Sequence, residues 1–167
     1  MKKALILLIL ALPLTVSCAA LIAAQQESEK EGAELAMNAL ETGNIEIEVR
    51  DIMPQVGPTI HSNGEYFLRI RDGKASAYLP FFGTSTYATY GSSDGGFNFE
   101  ECPVEIVVMK SRKSKGENKW EFIAKTDREP VEFIVTFWDS GSAGITTTSR
   151  TRSRMSYNGH LRPLPQE

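Results

Sequence analysis

The chain has 167 residues, 41% of them apolar and 23% charged, with 18 lysines and arginines against 21 aspartates and glutamates. That balance excludes a disordered or collagen-like polypeptide, and a chain of this length folds as one domain with its own core. The small acidic excess gives no electrostatic basis for binding nucleic acid, whose protein partners carry a basic surplus.

Residues 1–24 read as an export leader. Lys2 and Lys3 precede an apolar stretch from Ala4 to Ala24, broken only by Pro13, Thr15, Ser17 and Cys18, and a polar run begins at Gln25. A positive start, an apolar middle and small residues before the cut are the order of a signal peptide. A helix over the same stretch is also long enough to span a bilayer as an uncleaved anchor; Pro13 and the small residues after it favour cleavage. Cutting after Ala24 gives a soluble product. Ser17-Cys18 makes Cys18 a lipidation candidate, although Thr15 stands where a lipoprotein signal normally carries Leu. On either route the protein is expected beyond the inner membrane, in the periplasm or associated with the outer membrane. It then meets a membrane only through its leader or a lipid anchor. Cys102 is left without an intrachain partner, so no internal disulfide is expected and it reads as a small buried apolar residue.

Residues 25–43 read as an N-terminal helix. Ser28-Glu29-Lys30-Glu31 matches a capping box, Ala33, Ala36, Met37 and Leu40 recur at helical spacing, and Thr42-Gly43 supplies the stop. After Gly43 the period changes to two. Ile45, Ile47 and Val49 alternate with Glu46, Glu48 and Arg50, as a strand with one wet face requires. Tyr66, Leu68 and Ile70 repeat the pattern, and Arg71-Asp72-Gly73-Lys74 reads as a hairpin into Ala75, Ala77 and Leu79. Further strands start at Phe97 and Phe99, at Val104, Ile106 and Val108, and at Trp120, Phe122 and Ala124 after a turn at Lys115–Asn118. Val131 to Phe137 is the most apolar, Ser140-Gly141 turns it back through Ile145 to Thr148, and Arg152 to Tyr157 closes the series at Asn158-Gly159.

Strands joined this tightly pair as antiparallel neighbours. The expected fold is mostly β, a single antiparallel meander of eight or nine strands over residues 44–161 with one N-terminal α-helix. A curved sheet, a sandwich and a small barrel all satisfy the pattern. The tail, residues 162–167, is expected to fray.

Residues 78–99 hold Tyr78, Phe81, Phe82, Tyr87, Tyr90, Phe97 and Phe99, seven of the chain's fifteen aromatics, together with four glycines. Rings supply contact area and Gly lets a backbone approach closely, so Tyr78, Phe81, Phe82, Tyr90 and Phe97 are the candidate ligand-binding residues. The competing reading is that these rings fold inward and plug one end of the sheet.

In this stretch the sequence resembles a known family. Tyr78-Leu79-Pro80-Phe81-Phe82-Gly83, Tyr90-Gly91, Gly95-Gly96-Phe97-Asn98-Phe99 and Ser156-Tyr157-Asn158-Gly159 are similar to motifs of the DUF4251 family of uncharacterised exported proteins from Bacteroides-type bacteria. The resemblance covers about Glu27 to Leu161. It implies export and a shared fold, with no assigned activity and no catalytic residue to carry over.

Chemistry-bearing motifs are sparse. His61 and His160 lie in loop-like settings without metal-ligand spacing, so no metal and no cofactor are expected. Gly141-Ser142-Ala143-Gly144 is one residue short of a nucleophile elbow, and Gly91–Gly96 lacks the Lys and following helix of a phosphate loop. Glu100-Glu101 and Asp51 are carboxylates of a kind any acidic protein carries. Lys110, Arg112, Lys113 and Lys115 crowd one hairpin end and read as a solvated tip. Arg150, Arg152 and Arg154 sit two apart, as a strand face paired with acidic residues such as Glu132 would have them. The expectation is an exported, non-enzymatic binding or envelope-associated module whose partner is a small molecule, a glycan or an envelope protein. The alternatives are an envelope or glycan hydrolase with unidentified acids and a structural subunit assembling through its edge strands.

Overall fold

The computed structural model describes residues 25–86, 95–110 and 116–165. The leader with Cys18, the candidate Tyr90 and residues 111–115 of the hairpin tip lie outside the described residues. Helix α1 covers residues 25–42. Ten strands follow: β1 (Ile45–Pro54), β2 (Ile60–His61), β3 (Phe67–Arg71), β4 (Lys74–Leu79), β5 (Phe97–Pro103), β6 (Val107–Lys110), β7 (Glu117–Lys125), β8 (Pro130–Trp138), β9 (Ser142–Thr148) and β10 (Met155–Leu161).

The antiparallel meander is present, curled into a half-barrel. The strand order is β5-β4-β3-β1-β10-β9-β8-β7-β6, with the two-residue β2 attached to β1. This is the order of a ring in which β1 and β10 have paired and the circle is cut between β5 and β6. Those two strands are joined by residues 104–106 yet form the two ends of the sheet.

Period-two patterning explains the curl. Ile45, Ile47 and Val49 of β1, Leu68 and Ile70 of β3, Trp120, Phe122 and Ala124 of β7 and Val131, Phe133, Val135 and Phe137 of β8 all point to the concave side and are buried. Rings span the gap that no ladder closes. Phe97 and Phe99 of β5 meet Phe133 of β8 edge-on at 6.3 and 5.7 Å between centroids, and Phe133 stacks on Phe122 of β7 at 5.1 Å. Side-chain packing thus stands in for hydrogen bonds along the open side.

The helix differs from its sequence reading at its start and on its buried face. It already runs through Ser28, so that hydroxyl caps nothing. Its buried side is Gly32, Ala36 and Ala39, while Met37 and Leu40 are exposed. The reason is distance: a Cβ on Gly32 would stand 2.4 Å from the Ser140 carbonyl oxygen, so α1 sits on the β8–β9 turn too closely for large side chains. Its end is as expected, with Gly43 at φ 71° and its amide donating to the Ala39 carbonyl at 2.9 Å.

Three further expectations are corrected. Val104 and Ile106 do not begin a strand; they lie in the link between the two ends of the sheet and pack on the core from there. Asn158-Gly159 is no turn, because β10 runs on to Leu161 and a Cβ on Gly159 would lie 1.9 Å from the Glu48 carbonyl oxygen of β1. Gly is required there by close approach. The tail is tied down as far as Pro165: the Arg162 amide donates to the Glu46 carbonyl at 3.0 Å, its guanidinium pairs with the buried Glu46 carboxylate, and Arg71 donates to the Pro165 carbonyl.

Candidate functional site

The open side of the half-barrel is where the surface is concave. Among the described residues β5 pairs on one flank only, with β4. Its alternation buries Phe97, half-buries Phe99 and turns Asn98 outward, until a bulge re-aims the strand. Glu101 adopts φ 48° at a register shift between Ala75 and Ala77, and its displaced amide is satisfied by the Ser76 hydroxyl at 2.9 Å. The bulge turns both Glu100 and Glu101 to the outside, with Glu101 held by Lys74 at 3.0 Å, and returns Cys102 to the interior. There the Cys102 thiol lies 3.5 Å from the Lys125 carbonyl oxygen, the point where β5 touches the end of β7.

Between β5 and the β7–β8 turn runs a groove of about 450 Å³, lined by residues 96–103 and 125–129 together with Val131 and Arg152. Thr126 shapes the turn, its hydroxyl donating to the Glu129 carbonyl at 2.7 Å and accepting the Glu129 amide at 3.2 Å. One end of the groove is closed by Arg152. Its guanidinium pairs with Glu129 at 2.8 Å, donates to the carbonyls of Gly95 and Gly96 at 2.7 and 3.2 Å, and lies over the rings of Phe81 and Phe97 at 5.5 and 5.0 Å. Thr151 donates to the second Glu129 oxygen. The middle arginine of the 150–154 series therefore has Glu129 as its partner and not Glu132. It lies in the β9–β10 connection, bridged to Ser85, and not on a strand face.

The predicted ligand residues separate. Phe81 and Phe97 pack edge-on at 5.8 Å and belong to the core side of the groove's end. Tyr78 stands on the opposite, convex face of β4 and leans on Tyr66, 5.4 Å between centroids. Phe82 is exposed beyond the end of β4. The sequence reading missed the turn wall, Lys125 to Glu129, because nothing in its composition marks it; the Thr-x-x-Glu spacing that shapes the turn is the one local signal. Among the described residues no three His, Cys, Asp or Glu side chains converge as a metal site, and no helix is long and apolar enough to cross a membrane.

Among the described residues one titratable group is displaced. Burial pushes the Tyr157 phenol well above its ordinary range, and its hydroxyl donates to the Pro80 carbonyl at 2.8 Å, fastening the start of the 80–86 segment to β10. This is a structural bond, and Tyr157 is not among the residues that line the groove.

A family model described as a domain of unknown function, DUF4251, matches residues 26–161. The fold is similar to that in the crystal structure of a DUF4251 family protein from Bacteroides eggerthii DSM 20697 at 1.95 Å, with a TM-score of 0.61, 16% identity, and coverage of 83% of this chain and 91% of that one. No curated protein matches the chain.

Proposed function

The chain belongs to the DUF4251 family, and from the groove along β5 we propose that it is an exported, non-enzymatic binding module of the cell envelope. The leader-like residues 1–24 support export, with Cys18 as a point of lipid attachment. The groove carries the reading. It offers about 450 Å³ between a strand that pairs on one flank only and an ordered turn, a volume that suits a small molecule, a few sugar units or a short extended peptide. Phe97 and Phe99 contribute apolar surface, while Glu100 on the strand wall and Asp127 on the turn wall supply hydrogen-bond acceptors.

A binding role is favoured over hydrolysis by how the acids are engaged. Glu129 is held by Arg152 and Thr151, and Glu101 by Lys74. Acid–base catalysis uses carboxyls tuned away from their usual proton affinity and aimed at a shared point; here ion pairs occupy two of the groove's four acids, Glu101 and Glu129.

The test is a thermal-shift screen of the purified chain against envelope glycans, peptidoglycan fragments and small metabolites. Glu100→Lys and Asp127→Lys alter the two groove walls, and Tyr78→Ala alters the convex face. The expected result is a ligand whose stabilisation disappears in the two lysine variants and persists in Tyr78→Ala. Stabilisation that survives in the lysine variants, or a ligand chemically converted by the protein, overturns the reading.

A further inference from the structure

The lining of the β5 groove has a pattern that a hollow over a sheet face does not produce. Successive side chains of a strand point to opposite faces, so a cavity on one face touches every second residue. Here every residue from Gly96 to Pro103 lines the cavity, Phe97 and Cys102 from the buried face and Asn98 and Glu100 from the exposed one. The groove therefore follows the edge of β5 and is walled by its backbone. Among the described residues no strand pairs with that edge; β4 takes the other flank, where the displaced Glu101 amide also finds the Ser76 hydroxyl. Every second residue of a strand offers its N–H and C=O to the same flank, so the edge presents a row of backbone donors and acceptors. At the head of that row the carbonyls of Gly95 and Gly96 already accept N–H groups, those of Arg152, at 2.7 and 3.2 Å.

We propose that the groove takes an extended peptide with basic side chains, which adds to the free edge of β5 as a further strand; the assignment rests on the groove being a binding site, as proposed above. The edge selects the class of ligand. Only a chain with the same backbone repeat meets the row at successive positions, which a sugar or a compact metabolite does not. Charge selects the side chains. An adjoining cavity of about 750 Å³ shares Cys102, Pro103 and Lys125 with the groove, and the two together are lined by six carboxylates against three cations. Glu101 and Glu129 are paired. Glu100, Glu105, Glu121 and Asp127 form no ion pair among the described residues. Such a surface attracts a basic chain and repels an acidic one. Side chains of an added strand alternate between the two faces of the sheet. Apolar residues of the peptide then extend the ring layer of Phe97 and Phe99, and the basic residues between them stand on the side of Glu100.

The test passes a pool of random, end-blocked hexapeptides over the immobilised full chain, with the double variant Glu100→Lys, Asp127→Lys as the reference surface. Wild type is expected to enrich peptides in which Lys or Arg alternates with apolar residues, and the variant is not. The best enriched peptide is then made in two forms, with N-methyl groups on its odd or on its even residues. Alternate amides of an extended chain face opposite flanks, so one form is expected to bind at least tenfold more weakly than the other by calorimetry. Equal affinity of the two forms, or enrichment of acidic peptides, would overturn the proposal. No enrichment, beside a glycan or metabolite whose stabilisation is lost in Glu100→Lys, would overturn the peptide and leave the groove as a binding site. Failure of both would overturn both. Should the double variant melt early, the N-methyl comparison, which needs no variant, decides alone.

Discussion

Arg152 and Glu129 form an ion pair at 2.8 Å with only 12% and 11% of their side chains exposed, and it joins the β9–β10 connection to the β7–β8 turn across one end of the β5 groove. A pair this enclosed costs desolvation that its geometry offsets, and removing one partner strands the other. Arg152 is also the hub for Phe81, Phe97, Gly95 and Gly96, so its loss reaches further than one bond.

Glu129→Gln is therefore expected to destabilise the fold by about 3 kcal/mol, and Arg152→Met by at least as much. Removing both charges in one chain is expected to cost less than the two losses added together. Urea denaturation of the three variants measures this, and strict additivity would show that the pair is energetically uncoupled.

Gly159→Ala drives a methyl group into the Glu48 carbonyl of β1, a backbone atom with no freedom to retreat. We expect a loss of about 3 kcal/mol, the upper part of the range for overpacking. Gly95→Ala meets nothing within 4 Å among the described residues and serves as the control, expected within about 0.5 kcal/mol of wild type. Equal melting temperatures for the two variants would contradict the close β1–β10 approach.

Tyr157 links stability to alkaline pH. Its folded proton affinity is raised by burial above the unfolded value near 10. The folded chain thus keeps a proton that the unfolded chain loses. That contribution is fully present below about pH 10 and is lost progressively as pH rises above it. Unfolding free energies measured from pH 8 to about pH 11 are expected to fall less steeply for Tyr157→Phe than for wild type. The variant itself is expected to cost about 1 kcal/mol at neutral pH, through the lost bond to Pro80.

Glu46 is buried on β1 between Arg69 and Arg162. Arg162→Ala removes one of its two cations and releases the tail, with an expected cost of about 2 kcal/mol. Limited proteolysis is expected to trim the variant back towards Leu161 faster than wild type. Equal trimming rates would show that the tail is not held by this pair.

The strands were legible because each side of a curled sheet imposes its own alternation. Ile45–Val49, Leu68–Ile70 and Val131–Phe137 could be read directly, since their neighbours across the ladder demand the same period. What failed has a common physical origin in contacts between distant segments. Val104 and Ile106 alternate like a strand, yet they serve a link between sheet ends. Gly159 looks like a turn residue, yet β1 crowds it. Met37 and Leu40 fit an amphipathic helix, but the closeness of Gly32 to the β8–β9 turn selects the small-residue face. The groove was half visible: the Phe97–Phe99 segment stood out by its rings, whereas the Lys125–Glu129 wall joins it only after the sheet curls.

The link between β5 and β6 has a practical corollary. Cutting the backbone at residues 104–106 severs no rung of the ladder, and it leaves two pieces, one carrying β1 to β5 and the other β6 to β10. The β1–β10 seam and the ring stack around Phe133 remain to reunite them. Two separately expressed fragments should therefore reconstitute one native body, which makes this chain a natural scaffold for a split reporter.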